Sequence, residues 1–200
     1  MSIYHPLAIF LAYIVGSFPT AYVVGRLLLG VDIRQLGDGN VGAANVFREV
    51  GALPGVAVLL TDVAKGALAV FIAQLLSNQI VVSYLAGAAA VAGHNWPIFL
   101  GFRGGRGMAT TMGVLFFLMP WAGLIVLGAA AIPFFLTRSN MLAGLIIFTP
   151  MPLLGLWLYG WDPAVYSALL PCVVGFTHFL TTRNLPPELK EQAGYMRRKS

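Results

Sequence analysis

From Gly107 to Thr137 no residue carries a charge, and similar uncharged, apolar runs recur along the whole chain. A helix needs about 17 to 25 apolar residues to cross the hydrocarbon of a bilayer. In that medium every backbone N–H and C=O must find a partner, which leaves only helices and closed barrels. The ten-residue alternation of an outer-membrane barrel is missing here, so the pattern restricts the chain to an all-α integral membrane protein. Composition agrees: 58% of residues are hydrophobic, 10% are charged and the mean hydropathy is +0.83, values foreign to a soluble globular domain.

The runs predict spans near 7–29, 52–76, 79–100, 121–137, 141–159 and 164–182. Residues 107–137 are too many for one crossing, and Pro120 predicts a break that leaves 108–119 as a short, partial one. About seven transmembrane helices result. Residues 1–6 hold no Lys or Arg, so the first span reads as a retained helix and not as a cleaved signal. Basic residues are one-sided: Arg26, Arg34 and Arg48 around the first loop, Arg103 and Arg106 after the third span, Arg138 after the fifth, and Arg183, Lys190, Arg197, Arg198 and Lys199 in the tail. The loops after spans two, four and six have none. The positive-inside rule then predicts an outside N-terminus and a cytoplasmic C-terminus, in a single membrane-embedded domain over 1–200. Its cytoplasmic parts are the loops 30–51 and 101–107 and the basic tail 183–200. The net charge of +5 follows from this topology and does not call for nucleic acid. Cys172 is the only cysteine, which excludes a disulfide framework, and no His, Cys and carboxylate set has metal-ligand spacing.

Two interior loops combine glycine with arginine. The first places Gly37, Gly39 and Gly42 among polar residues, with Asn40, Asn45, Arg34 and Arg48 about them; the second is Arg103-Gly104-Gly105-Arg106-Gly107. Glycine admits positive φ, so successive N–H groups can face one concavity and bind an anion, and arginine forks match phosphate oxygens. Helix N-termini near Gly42 to Val46 and near Gly107 to Thr111 would add partial positive charge. Either loop alone is equally a flexible cytoplasmic connection. Together, on one membrane face, they predict a shared cleft for anionic groups. Gly37 to Gly42 spells GxGxxG, but between two membrane helices it is not a dinucleotide fingerprint.

Inside the second span, Asp62 and Lys65 stand three apart on one helical face. They read either as a self-neutralising structural pair or as a charge drawing an anion from the membrane surface. His94, in GHNWP, is a candidate general base, a phosphate donor or a ligand to a helix end.

The blocks GSFP, VDIRQLGDGNVGAANVFR, TDVAKG and GHNWPIFLGFRGGRGMAT, in this order over about residues 12–115, resemble the bacterial acyl-phosphate:glycerol-3-phosphate acyltransferase family, the PlsY type. The resemblance implies a seven-span inner-membrane enzyme with its active site on the cytoplasmic face. It would transfer a fatty acyl group from acyl phosphate to the 1-hydroxyl of glycerol 3-phosphate, giving lysophosphatidic acid and phosphate at the entry to phospholipid synthesis. Its partners would be these two substrates and membrane lipids, without coenzyme A, acyl carrier protein, metal or other cofactor. The first family motif falls on Gly37, Gly39, Asn40, Gly42, Asn45 and Arg48, and the second on Gly93, His94, Pro97, Phe102, Arg103, Gly104, Gly105, Arg106 and Gly107. The family usually has Ser where Asp38 stands and Thr where Ala44 stands. Its C-terminal motif is reduced here to Arg183 and Asn184, with Thr181 where a His would fall.

The expected mechanism is direct attack by the acceptor hydroxyl, since an acyl phosphate is already activated and no His here has an Asp five positions on. Arg48, Asn45 and the Gly37 to Gly42 backbone would hold one phosphate. Arg103, Arg106 and the Gly104 to Gly107 backbone would hold the other, with Lys65 and Asn184 as further phosphate contacts and His94 as the protein's proton acceptor. Asp38 is expected either to act as a base, to sit protonated, or to turn aside onto Arg34 or Arg48 in an Asx-turn, the last being favoured. Two other functions fit the residues: a membrane transporter of small organic phosphates, and a non-catalytic binder of lipid phosphates, the latter suggested by Asp38, Ala44 and the reduced C-terminal motif.

Overall fold

The computed structural model describes residues 3–137, 140–183, 185 and 186, and all regular structure among them is helical. The helices are α1 (Tyr4–Gly16), α2 (Thr20–Leu29), α3 (Ala43–Glu49), α4 (Ala52–Leu76), α5 (Ile80–Asn95), α6 (Met108–Leu118), α7 (Pro120–Thr137), α8 (Asn140–Phe148), α9 (Met151–Tyr159) and α10 (Trp161–Thr182). Short 3-10 turns occupy Ile33–Gln35 and Ile98–Leu100. Among the described residues, four segments are long and apolar enough to cross a membrane: Tyr4–Leu29, Ala52–Leu76, Leu142–Tyr159 and Trp161–Thr182.

Proline accounts for most differences from the expected spans. The first is not one helix but α1 and α2, because Pro19 lacks an N–H and stands between them with φ −92° and ψ 66°. The break exposes the Phe18 carbonyl, which accepts a hydrogen bond from Lys65 Nζ at 3.1 Å. The span expected over 79–100 ends at Asn95, where Pro97 stops it, and 141–159 divides around Pro150. Pro120 does begin a new helix after α6.

α4 lies at the centre, packed on α1, α3, α5 and α6. Small residues make this possible where no hydrophobic effect drives helices together in lipid. A Cβ on Gly66 of α4 would strike the Thr110 carbonyl of α6, and one on Gly113 of α6 would strike the Val63 carbonyl of α4. Ala8, Ala12, Ala69, Ala73, Ala86 and Ala90 form a second fully buried seam among α1, α4 and α5. Large apolar side chains point outward instead, among them Leu53, Leu60, Leu75, Trp157 and Trp161. Polar residues are buried at one end, where the loops after α2 and α5 meet the last turn of α10.

Candidate active site

The first loop is built by its own side chains. Asp32 caps the 3-10 turn, accepting the Arg34 N–H at 3.0 Å, and takes the Arg34 guanidinium at 2.6 to 3.1 Å. The Arg34 hydrogen bond holds the Asp32 carboxyl below its ordinary range. Arg34 also donates to the Leu100 carbonyl at 3.2 Å and so reaches the second loop.

Asn45, completely buried at the start of α3, closes the loop from inside. Its amide nitrogen lies 3.3, 3.0 and 3.1 Å from the carbonyls of Ile33, Leu36 and Asn40. Two hydrogens cannot serve three acceptors at once, but none is left over for a ligand. The expectation that Asn45 donates to phosphate is therefore corrected: it holds the loop.

The glycine N–H groups are occupied in a similar way. Gly39 N–H donates to the Leu36 carbonyl at 3.0 Å, Gly104 N–H to Asn95 and Gly105 N–H to His94, both at 3.1 Å. The second loop thus lies flat against the end of α5. Gly105 is needed for that approach, since a Cβ there would run into the His94 ring and stand 2.6 Å from the Val41 carbonyl. The predicted phosphate nest gives way to a simpler cause at Gly39, Gly104 and Gly105, and the arginines carry the positive charge. Gly107 caps α6 with φ 82°, while Gly37 and Gly42 pack on Asn45 and Asn40 behind the cleft.

Between the loops and α10 opens a cleft of about 560 Å³, lined by Asp32, Arg34, Gln35, Asp38, Gly39, Asn40, Asn95, Trp96, Phe102, Arg103, Gly104, Gly105, Arg106, Thr177, Leu180 and Thr181. The volume suits a small organic ligand. Asp38 takes the favoured arrangement, pairing with Arg48 in an Asx-turn, and adds Arg106 as a second partner. Its Oδ1 lies 3.2 Å from Arg48 and accepts the Asn40 N–H at 3.3 Å, and its Oδ2 lies 3.1 Å from Arg106. Arg106 Nε also donates to Thr181 Oγ1 at 3.0 Å. Arg103 is exposed at the rim and makes no ion pair with a described residue.

Arg48 does not line the cleft and meets it through Asp38, and Lys65 and His94 are elsewhere. Lys65 and His94 line a space of only about 10 Å³, about one water molecule, together with Asp62 and residues 17–20. Lys65 pairs with Asp62 at 2.8 Å, and its contact with Phe18 fixes it at the break between α1 and α2, which matches the expected self-neutralising pair. The His94 ring lies behind Gly105, 3.8 Å from Asp62, and not in the cleft as a base would. Asn184 and most of the tail 183–200 lie outside the described residues. Sequence reasoning missed Asp32, Asn95 and the α10 face; the four-residue spacing of Thr177 and Thr181 was the one available signal for the last. Among the described residues no three His, Cys, Asp or Glu side chains converge on a metal-sized point.

Residues 6–185 match the family described as glycerol-3-phosphate acyltransferase. A Dehalococcoides mccartyi protein named glycerol-3-phosphate acyltransferase 4 is 41% identical over 88% of this chain and 96% of its own. A Moorella thermoacetica protein named glycerol-3-phosphate acyltransferase 2 is 47% identical over 70% of this chain and 74% of its own. Among solved structures, PlsY (YgiH), an integral membrane glycerol 3-phosphate acyltransferase, superposes in its glycerol 3-phosphate form with a TM-score of 0.82 at 28% identity, covering 98% of this chain and 96% of that one. The break at Pro19, the two arginine loops and the cleft they share therefore belong to a chain that is a member of the glycerol-3-phosphate acyltransferase family.

Proposed function

We propose that this acyltransferase moves a fatty acyl group from acyl phosphate to the 1-hydroxyl of glycerol 3-phosphate, releasing lysophosphatidic acid and inorganic phosphate. The acceptor oxygen attacks the acyl carbonyl carbon, and the carbon–oxygen bond to phosphate breaks. The phosphate leaves with the electron pair and takes up the hydroxyl proton. Such a donor needs no thioester carrier and no cofactor, so coenzyme A and acyl carrier protein are absent from the reaction. The observation that carries the reading is the cleft's charge: Arg34, Arg103 and Arg106 line it against two aspartates, and one of those is shared with Arg48. Two phosphorylated reactants held in line there would gain from proximity and from charge stabilisation of the carbonyl oxyanion.

The chain would cross the inner membrane seven times, pairing α1 with α2 and α8 with α9 as bent crossings, with the cleft and both arginine loops in the cytoplasm. In a Cys172→Ser background, Asn78→Cys should react with an impermeant reagent in intact cells and Glu49→Cys should not; the reverse pattern would invert the topology. The activity itself is tested with purified protein, palmitoyl phosphate and radiolabelled glycerol 3-phosphate. Labelled lysophosphatidic acid is expected. Uptake into proteoliposomes without product would mean a transporter, and binding without either a non-catalytic protein.

A further inference from the structure

Asp38 is where three parts of the cleft meet. Its side chain is 1% exposed, yet both oxygens are engaged: Oδ1 by Arg48 and the Asn40 N–H, Oδ2 by Arg106. No backbone hydrogen bond between described residues joins loop 30–51 to residues 95–107. The two loops are tied by side chains, through Asp38 to Arg106 and through Arg34 to the Leu100 carbonyl. Arg106 has a further hold in Thr181, and Thr177 Oγ1 lies 3.1 Å from the Arg106 carbonyl, so the last turns of α10 grip the same residue from the other side. A carboxylate enclosed in this way could act as a base only by giving up a partner. It could yield its place to a phosphate only by leaving two guanidiniums.

We propose that Asp38 is a positioning residue: one carboxylate, anchored by Arg48 of the first loop, that sets Arg106 of the second in the cleft for a substrate phosphate, with Thr181 of α10 as the second hold on Arg106. The inference rests on the phosphate-binding reading of the cleft. Without the carboxylate the two guanidiniums face each other with like charge, and the loops lose one of the two side-chain ties named above.

Asp38→Ala and the near-isosteric Asp38→Asn should raise KM for glycerol 3-phosphate about tenfold or more, with kcat changed by only a few fold. Formate, a carboxylate small enough for the vacated space, should return KM of Asp38→Ala toward the native value. Thr181→Val should cost less in the Asp38→Ala background than alone, because both act through Arg106. A fall in KM on removing Asp38 would make it a competitor of phosphate, and a hundredfold loss of kcat at constant KM would make it a base; either overturns the proposal. A readout without turnover separates this inference from the assigned reaction: formate should raise the thermal midpoint of Asp38→Ala and leave the native protein unmoved. Equal shifts in both proteins would overturn the clamp, whereas an inactive native protein would overturn only the reaction.

Discussion

Replacing Asn45 by Ala tests whether the first loop is held from within. The amide serves the carbonyls of Ile33, Leu36 and Asn40 at 3.0 to 3.3 Å and can satisfy two at a time. Losing two neutral hydrogen bonds costs about 1 kcal/mol each, while the Ile33 and Leu36 carbonyls keep the N–H groups of Leu36 and Gly39. The total is therefore about 2 kcal/mol. That energy falls on residues 33–45 and not on the helices. The ordered loop therefore becomes about 30-fold less favoured against its open forms, since about 1.4 kcal/mol is a factor of ten. A substrate binding only the ordered form would show a KM raised by up to that factor. Asn45→Asp should be worse, because it turns a donor into an anion facing three carbonyl oxygens. Kinetics should be read beside amide hydrogen exchange of residues 33–42. A raised KM with unchanged exchange would mean that Asn45 touches substrate directly, and unchanged KM with unchanged exchange would remove the staple altogether.

The Asp62–Lys65 pair, both members buried, should behave as a structural unit at the break between α1 and α2. Lys65→Met alone should lower stability in detergent by about 3 to 5 kcal/mol, whereas Asp62→Asn with Lys65→Met should cost clearly less; equal losses in single and double variants would contradict the pairing. A pH effect follows from Asp32, whose folded carboxyl ionises below its ordinary 3.8 because of Arg34. A depressed carboxyl contributes stability above that ordinary value and loses it as pH falls through the lowered one. Exchange protection of residues 32–36 should therefore be flat from pH 8 to pH 5 on this account and fall only below about pH 4, and Asp32→Asn should abolish the fall.

What the sequence discloses and what it hides divide along physical lines. The long apolar runs and the Pro120 break were legible because a bilayer imposes length and a missing N–H ends a helix. Pro19 carries the same information, but the apolar run continues through it, so hydropathy alone merged α1 and α2. Composition marked both arginine loops, and the structure brings Arg34, Arg103 and Arg106 from them into one cleft. Composition did not distinguish glycines that open the backbone to a ligand from glycines that let two chain segments touch, and Gly105 is of the second kind. Asn45 looked like a donor to phosphate because its acceptors lie on its own loop, a contact set only by the fold. Thr177 and Thr181 were hidden by separation: their four-residue spacing puts them on one face of α10, but they meet Arg106 across more than seventy positions.

In the proposed reaction acyl phosphate is attacked at its carbonyl carbon by glycerol 3-phosphate. Palmitoyl phosphate carrying oxygen-18 in the bridge between carbon and phosphorus tests this most directly, with the purified protein and glycerol 3-phosphate alone. Equimolar lysophosphatidic acid and phosphate are predicted, with all the label in the phosphate and none in the lipid. Label retained in the acyl product, or no product until a thioester donor is supplied, would contradict it.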